Sequence, residues 1–118
     1  MTSSSGKILL LPGDGIGPEV CNALKEVIEC INNITDSSFK VEEELVGGSS
    51  YDIHGTPLTD SVLKKAMDVD AVILGSVGGD KYEQLPFEVK PERALLKLRK
   101  ELDLYANIRP AKVFNALA

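Results

Sequence analysis

The chain has 118 residues, and its 13 basic and 18 acidic side chains give a formal net charge of −5. This length accommodates one ordinary domain but not two. Hydrophobic residues make up 43% and charged residues 26%, which excludes a disordered or collagen-like chain. The acidic balance argues against nucleic acid as a partner, and no apolar run approaches the roughly 18 residues of a membrane helix.

The N-terminus and the cysteines indicate where the protein acts. Residues 1–6 are small and polar, so we interpret them as a disordered tail that lacks the apolar stretch of a secretory signal. Cys21 and Cys30 lie nine residues apart on one predicted helix. That spacing separates them by roughly 13 Å, whereas a disulfide needs Cα atoms within about 7 Å. We therefore predict two reduced, structural thiols in a cytoplasmic protein.

The first elements in chain order are a strand and a helix. Residues 7–11 form a short apolar run without alternation, which is typical of a strand covered on both faces. A helix is predicted to begin at Pro18 and Glu19, because proline and an acidic residue favour the first turn. One face of this helix repeats apolar residues at helical spacing. They are Val20, Leu24, Val27, Ile28 and Ile31.

The later predicted elements continue the order of strands and helices. The pattern predicts a half-exposed strand over 39–45, a loop over 52–57 and a helix from Thr59 or Asp60 to about Met67. It also predicts a buried strand at 70–74, a helix beginning at Pro91 and an extended segment over 106–114. This order indicates an α/β fold with a layered parallel or mixed sheet and helices on both faces. Because the chain stops soon after a new extended segment, we interpret residues 7–118 as a truncated, incomplete first domain.

Two glycine clusters follow predicted strands, where open α/β sheets bind ligands. The first, Gly13-x-Gly15-x-Gly17, does not match a dinucleotide fingerprint, because Pro18 occupies the position of the last glycine. By spacing alone it is a tight turn into a helix. The second cluster, residues 75–79, would bring backbone close to a flat or anionic ligand, or would form a mobile turn.

The predicted helix after Pro91 carries a mixed face. Glu92, Leu95, Leu96 and Arg99 share that face by their spacing, and Arg109 follows in the extended segment. Two arginines around an apolar wall would suit a small dicarboxylate with an apolar substituent, because arginine binds carboxylates bidentately. In the alternative interpretation the leucines belong to the core, and the arginines pair with acidic residues of the same region. Those acidic residues are Glu101 and Asp103.

Other candidates for chemistry are weak. His54 is the single histidine and falls in a predicted turn, which is typical of a surface residue. The aspartates show no metal-ligand spacing, and no nucleophile and base are paired, so we predict neither a catalytic residue nor a metal ligand in this chain.

Three segments in order resemble the isocitrate/isopropylmalate dehydrogenase family, and most closely its 3-isopropylmalate dehydrogenase branch. They are residues 11–19 (LPGDGIGPE), 75–79 (GSVGG) and 95–114 (LLKLRKELDLYANIRPAKVF). The resemblance extends from about Lys7 to the end of the chain. It implies the N-terminal portion of an enzyme that uses NAD to oxidise a 2-hydroxy dicarboxylate and then removes the β-carboxylate with Mg²⁺ or Mn²⁺. The pathway that the resemblance implies is leucine biosynthesis.

The resemblance also implies roles for residues. Arg99 and Arg109 are similar to arginines that hold the substrate carboxylates, and Leu95, supported by Leu96, is similar to the wall that receives the isopropyl group. Enzymes of this family that act on isocitrate are expected to carry polar residues on this face, so the leucines favour isopropylmalate. The positions expected to contact NAD are Ile16, Gly75, Val77, Gly78, Gly79 and Glu92.

The sequence departs from the family pattern in two ways. The family usually has Gly-Gly-Pro-Lys-Trp where this chain has Asp80, Lys81 and Tyr82 after its glycines, so the order of this loop and its affinity for NAD are open. The acid/base tyrosine and lysine, the metal-binding aspartates and the adenine pocket are expected beyond Ala118. We therefore expect the isolated chain to be inactive and the whole enzyme to be a homodimer. The alternatives are an isocitrate, homoisocitrate or tartrate dehydrogenase, or a non-catalytic α/β module that binds an anion at residues 13–17.

Overall fold

The computed structural model describes residues 4–118 and contains one sheet of three parallel strands. The central strand, β1 (Ser5–Gly13), lies between β2 (Ser38–Glu43) and β3 (Ala71–Ser76). Leu9, Leu10 and Leu11 have no exposed surface, so the apolar run forms the buried strand that the sequence predicts.

Four α-helices connect and cover these strands. They are α1 (Gly17–Ile34), α2 (Gly48–His54), α3 (Asp60–Asp68) and α4 (Glu92–Glu101). Three short 3₁₀ turns follow β3, at Asp80–Tyr82, Phe87–Val89 and Asn115–Leu117. The α/β class and the parallel arrangement are therefore confirmed. Within residues 4–118, no helix is long and apolar enough to cross a membrane.

The two faces of β1 support two layers of helices. Leu9 and Leu11 point to one face and pack with residues of α3 and α4. Alternation along the strand places Leu10 on the other face, and α1 contacts all three strands. The buried members of α3 and α4 in this core are Val62, Ala66, Ala94 and Leu98.

Local sequence signals account for the bounds of α3 and α4. The side chain of Thr59 accepts the N–H of Val62 at 3.2 Å, which confirms the predicted cap of α3. Beyond the last turn of α4, Asp103 takes a positive φ of 54°. Its N–H bonds to the carbonyl of Lys100, and the next N–H bonds to that of Arg99. This is the Schellman arrangement, with aspartate where glycine is usual.

Several expectations from the sequence are wrong. Strand β1 begins at Ser5, so residues 5 and 6 do not belong to the tail, and residues 1–3 lie outside the described part of the chain. The predicted loop at 52–57 is partly helical, because α2 extends to His54. Residues 106–114 are exposed and form no strand, since no described segment pairs with them.

The predicted apolar face of α1 is only partly buried. Val20 and Val27 are more than half exposed, whereas Cys21 and Ile28 face the sheet. The three strands cover a narrower stripe of the helix than its apolar pattern spans. Both cysteines are free, as the sequence predicts, but Cys30 is exposed and only Cys21 is buried, where burial raises the pKa of the thiol.

The carboxylate of Asp14, in the turn after β1, is buried and joins three segments of the chain. One oxygen accepts the backbone N–H groups of Gly48 (2.7 Å) and Gly78 (2.9 Å). The other accepts the N–H of Ser49 at 2.8 Å and its hydroxyl at 3.1 Å. This carboxylate therefore supplies acceptors for the first N–H groups of α2, which have no partner inside the helix.

The same turn approaches β3 too closely for side chains at three glycines, since a Cβ on Gly13 would lie 1.8 Å from the carbonyl oxygen of Ser76. A Cβ on Gly17 would lie 1.9 Å from the carbonyl oxygen of Pro12, and one on Gly75 would lie 2.3 Å from that oxygen. Backbone packs directly on backbone here. Two glycines of the first cluster, Gly13 and Gly17, and Gly75 of the second are therefore required by packing, independently of any ligand.

Replacing Asp14 with alanine should lower the free energy of unfolding by about 3 kcal/mol, because buried N–H groups lose a charged acceptor. Asp36→Ala, at an exposed position, is the matched control and should change stability by less than about 0.5 kcal/mol. Urea unfolding followed by circular dichroism measures both differences. Equal losses for the two variants would contradict the role of Asp14.

Gly17→Ala should destabilise the chain by about 3 kcal/mol, since its Cβ has no room beside Pro12. Gly15→Ala is the comparison: Gly15 has a φ of +58°, but a Cβ there would have no described atom within 4 Å, so its cost is about 1 kcal/mol of backbone strain. Thermal unfolding of both variants gives the ranking. A greater loss at Gly15 would show that strain, not close approach, selects these glycines.

Candidate functional site

The two glycine clusters lie side by side at the carboxyl ends of β1 and β3. Gly13 and Ser76 are partners in the parallel register. Beyond them, the N–H of Asp14 bonds to the carbonyl of Ser76 at 2.7 Å, and the Ser76 hydroxyl donates to the carbonyl of Asp14 at 2.7 Å. Clusters that are 62 residues apart in sequence thus form one edge, at the place where parallel sheets bind ligands.

The segment from Gly75 to Gly79 combines packed and open positions. The Val77 side chain packs against the core, and its Cγ1 would lie 2.8 Å from a Cβ on Gly47. Gly78 and Gly79 have positive φ values of 101° and 153°. Val77 is therefore able to meet a ligand mainly through its backbone, whereas the two glycines expose backbone that has no side chain.

Glu92 lies directly against this segment. A Cβ on Gly78 would lie 2.5 Å from the Oε1 atom of Glu92, so the absence of a side chain at Gly78 makes room for this carboxylate. The structure therefore brings together two of the residues that the sequence assigns to a cofactor. Ile16, at the start of α1, is 58% exposed and leaves an apolar surface available.

The N-terminus of α1 is poorly suited to an anion. The N–H of Gly17 bonds to the carbonyl of Asp14, and that of Val20 bonds to the carbonyl of Ile16. Pro18 has no N–H, and Glu19 adds a negative charge in the first turn. Few donors are left for an anion at residues 13–17, and the local charge is unfavourable.

The 3₁₀ turn at Asp80–Tyr82 is fastened to α2. Asp52 Oδ2 accepts the Tyr82 hydroxyl at 2.8 Å and the Lys81 ammonium at 2.9 Å. The hydrogen bonds from Lys81 and then Tyr82 hold the pKa of the Asp52 carboxyl below its ordinary value. Burial, followed by the hydrogen bond to Asp52, raises the pKa of Tyr82. An ionised carboxylate and a protonated phenol therefore coexist over a wide pH range.

The residues predicted to bind substrate do not all lie together. Leu95 and Arg99 line one groove of about 380 Å³, next to the open edge of β3. Leu96 lines a different groove, beside Arg93 and the other basic residues of α4, and is 50% exposed. Arg109 lies in the exposed segment after α4 and lines neither groove.

The alternative role of the arginines as partners of nearby acidic residues receives no support. Across residues 4–118, the ion pairs are formed by lysines, and neither Arg99 nor Arg109 takes part in one. Leu98, rather than Leu95 or Leu96, is the leucine of α4 that is fully in the core. The mixed face of α4 thus keeps Arg99 available to a carboxylate from outside the chain.

The weaker candidates take no part in this arrangement. His54 is exposed in the last turn of α2. Within the described residues, no group of three or more histidine, cysteine, aspartate or glutamate side chains is placed to hold a metal ion.

Sequence reasoning missed the two acidic residues that organise the site. Asp14 lies within a motif that was interpreted from its glycines alone, and its hydrogen-bond partners lie 34 to 64 residues away in the sequence. Asp52 resembled a loop residue. A usable signal existed for Asp14 alone, because an aspartate between two glycines at the end of a buried strand has to find buried donors.

Comparison with known sequences gives a consistent result. The sequence model of isocitrate/isopropylmalate dehydrogenase matches residues 7–118. Proteins named 3-isopropylmalate dehydrogenase from Cereibacter sphaeroides and Pelagibacter ubique are each 59% identical over 111 residues, and one from Ruegeria pomeroyi is 54% identical over 115. These matches cover 94%, 94% and 98% of this chain but only 30%, 30% and 31% of the relatives. The chain therefore spans about 30% of their length.

Solved structures agree with the sequences. A β-decarboxylating dehydrogenase from Thermococcus kodakarensis is 30% identical with a TM-score of 0.64, over 84% of this chain and 27% of its own. An isocitrate dehydrogenase from Methylococcus capsulatus is 28% identical with a TM-score of 0.63, over 84% of this chain and 26% of its own. With the sequence match extending over residues 7–118, the chain belongs to the isocitrate/isopropylmalate dehydrogenase family.

Proposed function

We propose that this chain supplies part of the substrate and cofactor sites of an NAD-dependent 3-isopropylmalate dehydrogenase. The reaction is the oxidation and decarboxylation of a 2-hydroxy dicarboxylate in leucine biosynthesis. Identity of 54–59% to relatives of that name supports this choice within the family. The setting we propose is the cytoplasm, with the whole enzyme as a homodimer.

The observation that carries the proposal is the pairing of Leu95 with Arg99 in one groove. A guanidinium binds a carboxylate through two parallel hydrogen bonds, and a leucine one turn earlier offers an apolar surface to an alkyl branch. A small molecule with both groups is what 3-isopropylmalate would present. Ala94 and Leu98 anchor α4 in the core, so the two side chains project from a rigid element.

Each site residue has a role in the proposal. Arg99 and Arg109 hold the substrate carboxylates, and Leu95 contacts the isopropyl group. Leu96 supports that wall from its neighbouring groove. The remaining residues bind the cofactor, and they are Ile16, Gly75, Val77, Gly78, Gly79 and Glu92.

The described residues offer binding groups to the cofactor but not to the metal ion. NAD, when bound, would accept the hydride from the substrate. The open backbone at Gly79, together with the carboxylate of Glu92 next to Gly78, fits the approach of a flat ring that carries hydrogen-bonding groups. Within residues 4–118, no group of three or more histidine, cysteine, aspartate or glutamate side chains is placed to hold Mg²⁺ or Mn²⁺, and we derive no step through the metal from this chain.

The other functions remain distinguishable. An isocitrate, homoisocitrate or tartrate dehydrogenase would use the same arginines but would not need the apolar wall. A non-catalytic module that binds an anion at residues 13–17 is disfavoured by the occupied N–H groups at the start of α1.

A chimaera tests the proposed function. The 111 matched residues of the Cereibacter sphaeroides relative would be replaced by those of this chain, which are 59% identical. We expect the chimaera to reduce NAD with 3-isopropylmalate and Mg²⁺, because this chain supplies equivalent binding groups. The 118-residue chain alone should give no NADH, since the decarboxylation needs a Lewis-acid metal and no group of side chains within residues 4–118 is placed to hold one. A folded chimaera that is active on isocitrate but not on 3-isopropylmalate would overturn the substrate assignment.

Two substitutions in that chimaera test the substrate roles. Leu95→Ser should lower kcat/KM for 3-isopropylmalate by about 10–200-fold and affect malate, which lacks the branch, much less. Arg99→Lys should affect both substrates similarly, because the carboxylates remain while the bidentate fork is lost.

Leu96→Ser is the matched comparison, since it changes the neighbouring leucine on the other groove. It should have a smaller selective effect than Leu95→Ser. Equal losses with both substrates after Leu95→Ser would assign Leu95 to packing and contradict the proposed isopropyl pocket.

A further inference from the structure

Tyr82 connects the segment after β3 to α2 through two separate contacts. Its hydroxyl donates to Asp52 at 2.8 Å, and its ring lies over Gly48. A Cβ on Gly48 would lie 2.1 Å from two ring carbons. The ring thus occupies the space that any side chain at Gly48 would need.

Asp14 links the same end of α2 to the glycine segment. The N–H of Gly48 and the N–H of Gly78 bond to one oxygen of Asp14, at 2.7 and 2.9 Å. Residue 82 therefore contacts the first turn of α2 directly, and residue 78 is linked to that turn through Asp14. Gly79, between them, has a φ of 153° and no described atom within 4 Å of a Cβ position, so it is the part of the segment that these contacts leave open.

We propose that Tyr82, seated on Gly48 and bonded to Asp52, is a positioning residue that holds Gly78 and Gly79 in the geometry that receives the cofactor. This inference rests on the proposed function for the identity of the cofactor. The bonded contacts order the segment before NAD arrives, so less conformational entropy is lost on binding. Tyr82 acts through the backbone of its neighbours and does not itself take part in the reaction.

The ring of Tyr82 should contribute more to holding Gly78 and Gly79 than the ion pair of Lys81 with Asp52 does. The pair of Lys81 and Asp52 is exposed, and exposed ion pairs contribute little. By contrast, the ring fills a space between two backbone segments, which a smaller side chain leaves empty. Tyr82→Phe keeps the ring and loses the hydroxyl, Tyr82→Ala loses both, and Gly48→Ala displaces the ring while it keeps the N–H that bonds to Asp14.

Hydrogen exchange of the folded chimaera tests the contact itself. Exchange at the amides of Gly78 and Tyr82 should accelerate about tenfold or more in Tyr82→Ala and Gly48→Ala, and by less in Tyr82→Phe. Tyr105→Phe, at a fully exposed tyrosine, is the matched control and should leave these amides unchanged. Exchange in the unsubstituted chimaera as fast as in Tyr82→Ala would overturn the proposal.

Kinetics of the chimaera test the consequence for the cofactor. Tyr82→Ala should raise KM for NAD about tenfold, with kcat and KM for 3-isopropylmalate within about twofold of the unsubstituted chimaera. Tyr82→Phe should recover most of this loss. A change in kcat alone, or equal changes in KM for both ligands, would overturn the positioning role. An inactive unsubstituted chimaera would count against the proposed function instead, and hydrogen exchange would then decide whether Tyr82 holds the segment.

Discussion

The arrangement of the candidate site depends on a single buried carboxylate. Asp14 collects N–H groups from Gly48, Ser49 and Gly78, which belong to segments far apart in sequence. Backbone donors that are removed from water need an acceptor, and a charged acceptor binds them more strongly than a neutral one. The start of α2 and the end of β3 are therefore placed by the same side chain, which itself follows the buried strand β1.

The two halves of the candidate site differ in how firmly the chain holds them. The proposed cofactor side lies at the ends of β1 and β3, where Asp14 and the contacts of Tyr82 hold the backbone. On the proposed substrate side, Arg99 projects from a helix anchored in the core, whereas Arg109 lies in an exposed segment without strand pairing. Among the described residues, one arginine is therefore positioned by a packed helix, and the other lies in an exposed segment that pairs with no strand.

Sequence patterns predicted what depends on neighbouring residues. The apolar run of Leu9 to Leu11 forms a buried strand, and Thr59 caps α3. The predictions were wrong where the structure depends on contacts between residues far apart in the sequence. The helix at Gly48 forms because Asp14, 34 residues earlier, accepts its first N–H, and no local signal contains that information. Val27 fits the apolar pattern of α1 but is exposed, because the three strands cover only part of the apolar face of the helix. The width of the sheet cannot be predicted from the spacing of residues in α1. The two grooves that separate Leu95 from Leu96 are likewise set by packing against other elements.

Glycine clusters are easily assigned to ligands, and here the surroundings of each glycine separate the two explanations. Gly17 and Gly75 are explained by backbone packing against Pro12, so a ligand is not needed to account for them. At Gly48 the space of the missing side chain is filled from within the chain, by the ring of Tyr82. Gly79 differs, because its backbone has positive φ and the space beside it is open among the described residues. The positive φ alone favours glycine there, and the open space beside it leaves the backbone of Gly79 accessible from outside the chain.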